Sequence, residues 1–192
     1  MVFVSTQVGA YFKPGNHRGL VTDKIRAFKG GTGWIKCDAN YVVPILAKKE
    51  AESRGYMEAI FLDAEKRTYL EEGSSSNIFV LLKNGTLVTP ELGDTILPGI
   101  TRKSILQLAA DMGVNTEERK ISIQEAMEEG RECFVSGTAA GLSYIESITY
   151  QDSTVVFNEG KMGDLSEQLL LTLKGIQYGK LEDTHNWMQT IE

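Results

Sequence analysis

Lys36 closes the string Gly30-Gly31-Thr32-Gly33-Trp34-Ile35-Lys36, and Asn40-Tyr41 follows it. A glycine-rich turn thus delivers a lysine to the start of a helix, with a tyrosine shortly after. A lysine acts as a nucleophile when desolvation or nearby cations lower its pKa. The string is not a Walker A pattern, and by spacing alone it also describes a surface lysine after a flexible loop. A second group is Leu70-Glu71-Glu72-Gly73-Ser74-Ser75-Ser76-Asn77-Ile78-Phe79. Two acids end a strand, a small-residue loop follows, and Asn77 starts the next strand. A carboxylate buried there needs a cation or hydrogen-bond donors, whereas a solvated turn needs neither.

A third group, Leu97-Pro98-Gly99-Ile100-Thr101-Arg102, precedes an amphipathic stretch. The N–H groups and positive dipole end of a starting helix form an anion site. The same residues also describe an ordinary helix start with a threonine cap. Arg102 either pairs with an acid or orients the turn. The fourth group, Val135-Ser136-Gly137-Thr138-Ala139-Ala140-Gly141, is a second small-residue turn that offers N–H groups. His17 and His185 have no helical pairing and no HExxH spacing exists, so no metal site is expected. No GxSxG elbow is present, which disfavours a serine hydrolase.

Elements must position these groups. Apolar spacing at Val42, Ile45, Leu46 and Ala47 predicts a helix over Asn40–Arg54, with Pro44 near its start and Gly55 as its stop. Strands are predicted at Ala59–Leu62, Thr68–Leu70, Ile78–Leu82 and Thr86–Thr89, with a hairpin at Asn84-Gly85. A helix over Thr101–Gly113 and a strand at Asn115–Lys120 follow. Ser122 with Glu125 is a capping box for a helix at Ile123–Glu129. Strands are predicted at Cys133–Val135, Tyr144–Tyr150 and Thr154–Phe157, then a last helix over Asp164–Gln177. Elements mix without regular βαβ alternation, so the fold class is α+β. The 192 residues read as one domain with no repeat or linker.

The net charge of −6, from 20 basic and 26 acidic residues, argues against a general nucleic-acid binder, which needs basic surface. It leaves room for a local anion site built from backbone. No apolar run approaches the roughly 18 residues of a membrane span. Met1–Ala10 lacks a basic n-region and a long apolar stretch, and Cys37 and Cys133 do not make a disulfide framework. A reducing, cytoplasmic setting is the expectation.

Taken in order, the four groups resemble the branched-chain aminotransferases, pyridoxal-phosphate enzymes of fold type IV. The strings that carry the resemblance are Ala27-Phe28-Lys29-Gly30-Gly31-Thr32-Gly33 leading to Lys36, Asn40-Tyr41, Glu72 with Asn77, Leu97 to Arg102, and Ser136-Gly137-Thr138-Ala139. Ile176-Gln177-Tyr178-Gly179 and Trp187 also look like that family. The resemblance covers nearly the whole chain. It implies a β-pseudobarrel with surrounding helices. It implies that Lys36 holds pyridoxal 5′-phosphate as a Schiff base and then moves a proton. Tyr41 would bond the cofactor's phenolate oxygen, and Glu72 would face the pyridine nitrogen. The Ile100 and Thr101 N–H groups, with Thr138, would hold the phosphate. Gly137, Thr138 and Ala139 would grip the substrate carboxylate, and Tyr11 would lie near the substrate side chain. The implied reaction moves an amino group from a branched-chain L-amino acid to 2-oxoglutarate, and the implied assembly is a homodimer.

Family members carry a smaller N-terminal domain ahead of the segment that Val2-Phe3-Val4 begins. The chain is therefore expected to be the large, cofactor-binding domain over 1–192, with the small domain absent or supplied as a separate chain. Cofactor binding is expected to persist, while substrate closure and water exclusion suffer most. Ala140 and Ser143 stand where some relatives have a CxxC, so no redox switch is expected there. Two alternatives remain at this point. One is a D-amino-acid aminotransferase or aminodeoxychorismate lyase of the same fold, and the other is a catalytically idle domain.

Overall fold

The computed structural model describes residues 15–189. Tyr11 lies outside them. Among the described residues the chain forms one branched mixed sheet with four α-helices against it. The strands are β1 (Arg18–Val21), β2 (Glu58–Leu62), β3 (Leu70–Gly73), β4 (Asn77–Leu82), β5 (Leu87–Thr89) and β6 (Thr116–Glu118). They continue with β7 (Gly130–Gly137), β8 (Gly141–Ile145), β9 (Ser147–Tyr150) and β10 (Ser153–Val156). The helices are α1 (Val42–Ser53), α2 (Ile100–Asp111), α3 (Ile123–Glu129) and α4 (Asp164–Gln177).

The sheet branches at β4. One edge of β4 pairs antiparallel with β7 along its length. The other edge takes β3 at Asn77 and β5 at Val80 and Leu81. Strand alternation then sorts the side chains. Ile78, Val80 and Leu82 join Ile60, Leu62, Val135 and Ile145 in one core. Phe79 and Leu81 point the other way, onto Ile105 and Leu108 of α2 and Leu169 and Leu173 of α4. Ala59 and Phe61 of β2 meet Ala47 and Ala51 of α1. Each fully buried large apolar side chain contributes about 1.5–3 kcal/mol relative to exposure. The sheet is thus apolar on both faces: α3 adds Ile123 and Ala126 to the first core, while α2 and α4 cover the opposite face of β4 and α1 packs on β2. This is the α+β fold with surrounding helices that the sequence implied.

Several predicted boundaries shift. Before α1 the chain makes a 3-10 turn at Asp38–Tyr41, so Lys36 sits ahead of the helix and not on it. The predicted strand Tyr144–Tyr150 is two strands. β8 pairs antiparallel with β7, whereas β9 runs parallel to β1. Glu146 makes the break, because its N–H donates to His17 O and its C=O accepts from Phe157 N. β1 itself was not predicted, since four residues with two glycine-flanked apolar positions carry little periodic signal. The Asn84-Gly85 hairpin is present. It is a three-residue loop in which Gly85, at φ 87°, takes the left-handed position. Ser122 caps α3 as predicted, accepting from Glu125 N.

Glu132 explains how α4 starts. No side chain of the preceding residue caps the helix. The Glu132 carboxylate, 2% exposed, instead accepts from Leu165 N, Ser166 N and Ser166 Oγ. An anion at a helix N-terminus also meets the positive dipole end. Gly163 is required there, because a Cβ would collide with the carboxylate. Glu132→Ala is expected to cost about 1–3 kcal/mol, read as a lower urea midpoint with the slope unchanged.

Candidate active site

Four turns and the start of α1 converge on one cleft of about 660 Å³. Its wall contains Lys36, Tyr41, Glu72, Ile100, Thr101, Gly137, Thr138 and Ala139. Every predicted site residue among the described ones therefore lies in the same cavity, although up to a hundred residues of chain separate them.

The glycine-rich turn is fixed from two sides. Asn40 Nδ2 donates to Thr32 O (2.6 Å) and Ile35 O (2.7 Å). Asp94 accepts from Gly30 N at 2.9 Å, and its C=O accepts from Trp34 N. Gly33 is obligatory, since a Cβ would lie 2.9 Å from both Asp94 O and the Thr95 Cα. So anchored, the turn exposes Lys36 to the cleft, where Nζ lies 2.8 Å from Tyr41 Oη.

Glu72 faces the cleft from the end of β3, at 4% exposure. Its Oε1 accepts from Asn77 Nδ2 (2.7 Å) and Leu97 N (2.9 Å). Its Oε2 is ion-paired with Arg26, whose side chain is equally buried. Arg26 also donates to Gly33 O and Thr95 O. Burial pushes the Glu72 carboxyl up to about 8, against the opposing pull of the Arg26 guanidinium. Three donors occupy three of roughly four acceptor directions of a carboxylate, which leaves one for a donor in the cleft.

The Leu97–Gly99 turn is latched to this acid. Asn77 Nδ2 bridges Glu72 and Leu97 O, and Gly99 N returns to Leu97 O. Gly99 is the N-cap of α2, and no side chain caps it. Thr101 lies within the first turn and is not the cap. The N–H groups of Ile100 and Thr101 have no intrahelical acceptor by helix geometry, and the first turn contains no acid. Such bare N–H groups at the positive dipole end can hold an anion. Of the two roles the sequence left open, Arg102 takes the pairing with an acid. It pairs with Glu118 at 2.7 Å and donates to Pro90 O at 2.8 Å, which ties α2 to the sheet edge. A Cβ on Gly99 would collide with Asn77 Oδ1. Gly99→Ala is therefore expected to cost about 1–3 kcal/mol and to weaken binding of inorganic phosphate, both measurable by thermal shift.

The Gly137–Gly141 turn between β7 and β8 closes the cleft opposite α1, with Gly141 at φ 67°. Ser136 Oγ is buried at its base without a hydrogen-bond partner. The sequence reading missed Arg26 and Lys48 at the cleft and gave the Ser74–Ser76 loop of the second group no role of its own. Arg26 had only one signal, the need of a buried acid for a cation, and nothing in local spacing says which cation answers it. Among the described residues no cluster of three His, Cys, Asp or Glu side chains could hold a metal ion. No helix among them is long and apolar enough to cross a membrane.

A mixed sheet with a lysine, a buried acid and a bare helix start in one cleft fits the fold type IV class that the sequence resembles, and known relatives show the family. Residues 36–148 match the family described as amino-transferase class IV, and the chain belongs to that family. A probable branched-chain-amino-acid aminotransferase of Staphylococcus epidermidis is 45% identical over 168 residues, covering 85% of this chain and 47% of that protein. The chain thus spans about half the length of the curated relatives it matches. The Escherichia coli branched-chain amino acid aminotransferase has a TM-score of 0.84 at 31% identity, over 95% of this chain and 59% of that one. The enzyme of that name from Thermobaculum terrenum, solved in its PLP-form, has a TM-score of 0.77 at 30% identity, over 86% and 52%.

Proposed function

We propose that this chain is the pyridoxal-phosphate-binding large domain, over 1–192, of a branched-chain-amino-acid aminotransferase. The observation that carries the reading is the pairing of Lys36 Nζ with Tyr41 Oη, 2.8 Å apart, in the cleft that also holds Glu72 and the start of α2. The donor set suits the cofactor. Lys36 offers the amine for covalent attachment. The Ile100 and Thr101 N–H groups, with Thr138 and the partnerless Ser136 Oγ at the cleft base, suit a phosphate. Glu72 has one acceptor direction left for a ring N–H.

When bound, the cofactor supplies the electron sink that stabilises negative charge at the substrate α-carbon. The protein's residues do the rest. Tyr41 Oη orients Lys36 Nζ and fixes where its lone pair points. Lys36 Nζ takes the proton from the α-carbon and returns it on the acceptor side. Glu72 holds a proton at the ring-nitrogen end, and Arg26 and Asn77 hold Glu72 in place. The Gly137–Ala139 turn presents N–H groups to the substrate carboxylate, and Tyr11 would contact its side chain. The acceptor is 2-oxoglutarate, the protein acts as a homodimer with a small domain on the same or a separate chain, and its setting is the cytoplasm, which suits the free thiols of Cys37 and Cys133.

The test is an amino-donor panel with 2-oxoglutarate, read as glutamate formed, on protein loaded with pyridoxal phosphate. Turnover of L-leucine, L-isoleucine and L-valine is expected. Activity with D-alanine and none with L-leucine would replace this reading by a D-amino-acid aminotransferase. A protein that takes up no pyridoxal phosphate would remove the cofactor assignment altogether.

A further inference from the structure

Glu58, at the start of β2, is fully buried and does not line the cleft. Its carboxylate nevertheless gathers the loop that does. Oε1 accepts from Ser74 N (3.1 Å), from Ser74 Oγ and from Ala59 N (3.0 Å). Oε2 accepts from Ser76 Oγ at 3.4 Å. Ser74, Ser75 and Ser76 form one wall of the cleft. Their turn joins Glu72 to Asn77, which are register partners across β3 and β4 and hydrogen-bonded through their side chains. The same turn packs toward Gly137, where an added Cβ would meet Ser75 O at 3.5 Å.

Tyr41, Pro44, Ile45 and Lys48 recur at helical spacing and line the same cleft as the serine turn. Burial raises the Glu58 pKa, and the Lys48 charge and the Ser74 and Ala59 hydrogen bonds oppose this. Gly73 completes the fit, since a Cβ would lie 2.6 Å from Ser76 Oγ and 3.3 Å from the Glu58 carboxyl carbon. A neutral side chain of the same shape could fill the space. Only an anion accepts from several N–H and O–H donors at once as charge-assisted bonds, which are about twice as strong.

We propose that Glu58 is a positioning residue of the active site: its buried carboxylate fixes the Ser74–Ser76 turn and so the register of Glu72 and Asn77 at the cofactor cleft. The proposal rests on the cofactor reading above. It predicts that charge at position 58 matters to the site more than to the fold.

The test uses the full chain as wild type and Glu58→Gln. Amide exchange is followed at Ser74–Asn77 and at the β9–β10 pair. Binding and the visible band of pyridoxal phosphate are followed by titration. Glu58→Gln is expected to speed exchange at Ser74 about tenfold, to leave β9–β10 unchanged, and to weaken cofactor binding about tenfold with a shifted band. Wild-type affinity and wild-type Ser74 exchange in Glu58→Gln would overturn the proposal. Uniformly faster exchange across the whole sheet would overturn it too, because Glu58 would then serve the core alone. If the wild type binds no pyridoxal phosphate, the function reading fails, and the local exchange at Ser74 still decides the role of Glu58.

Discussion

Lys36→Ala is expected to lower L-leucine–2-oxoglutarate transamination by at least about 10³-fold and to abolish covalent attachment of pyridoxal phosphate. The size follows from losing two roles at once, the amine that carries the cofactor and the group that moves the α-proton, where proton transfer alone contributes about 10²–10⁴-fold. Lys36 is exposed and its side chain donates to Tyr41 Oη, so the fold has little to lose. Unfolding midpoints are expected within about 0.5 kcal/mol of wild type. Borohydride reduction followed by peptide mapping checks the assignment directly. The label is expected on the peptide bearing Lys36 in wild type and nowhere in the variant. A label that persists elsewhere, with activity intact, would refute it.

The second large effect is expected at Glu72 and Arg26. Arg26→Met leaves the Glu72 carboxyl buried without its cation; where that carboxyl is ionised, above about pH 8, breaking a buried pair in this way costs about 3–5 kcal/mol. Glu72→Gln removes the acid that faces the cleft and leaves Arg26 with carbonyl partners only, so activity and stability both fall. A pH arm separates the charge from the packing. The folded Glu72 carboxyl is pushed up to about 8 from an ordinary value of 4.5. Between those values the folded state holds a proton that the unfolded state has lost, so stability falls as pH rises across this window. Above about 8 the loss is complete and the curve levels. Glu58 and Glu71, also raised by burial, give slopes of the same sign. The measurement is therefore the difference between wild type and Glu72→Gln in chemical unfolding at several pH values, without added cofactor. Glu72→Gln is expected to have the shallower slope. Identical slopes would mean that Glu72 is ionised throughout.

Much of the site was legible because its chemistry is written in short strings. Lys36 after a glycine turn, the Leu97–Arg102 helix start and the Gly137–Ala139 turn each depend on residues adjacent in the chain. Their backbone constraints are local, so the residue types that satisfy them show through. Helices α3 and α4 were equally legible, since Ser122 caps one and a leucine stripe defines the other. Thr101 misled in part. A threonine near a helix start reads as a cap, but the Asn77 side chain leaves room only for a glycine at that position, and Thr101 moved into the first turn.

The sequence by itself determined which short strings would line the cleft and that the chain folds as mixed helices and sheet. Those properties follow from residue type and from periods of two to four residues. Only the tertiary structure decided that Arg26 answers Glu72, that Glu58 holds the serine turn from behind, and that β4 carries three strands. It also split the predicted Tyr144–Tyr150 strand at Glu146, because His17 and Phe157 take that residue's backbone groups. Each of these pairs residues far apart in the chain. A buried charge requires a partner but does not specify one, and the packing of the sheet selects which cation or donor comes within reach.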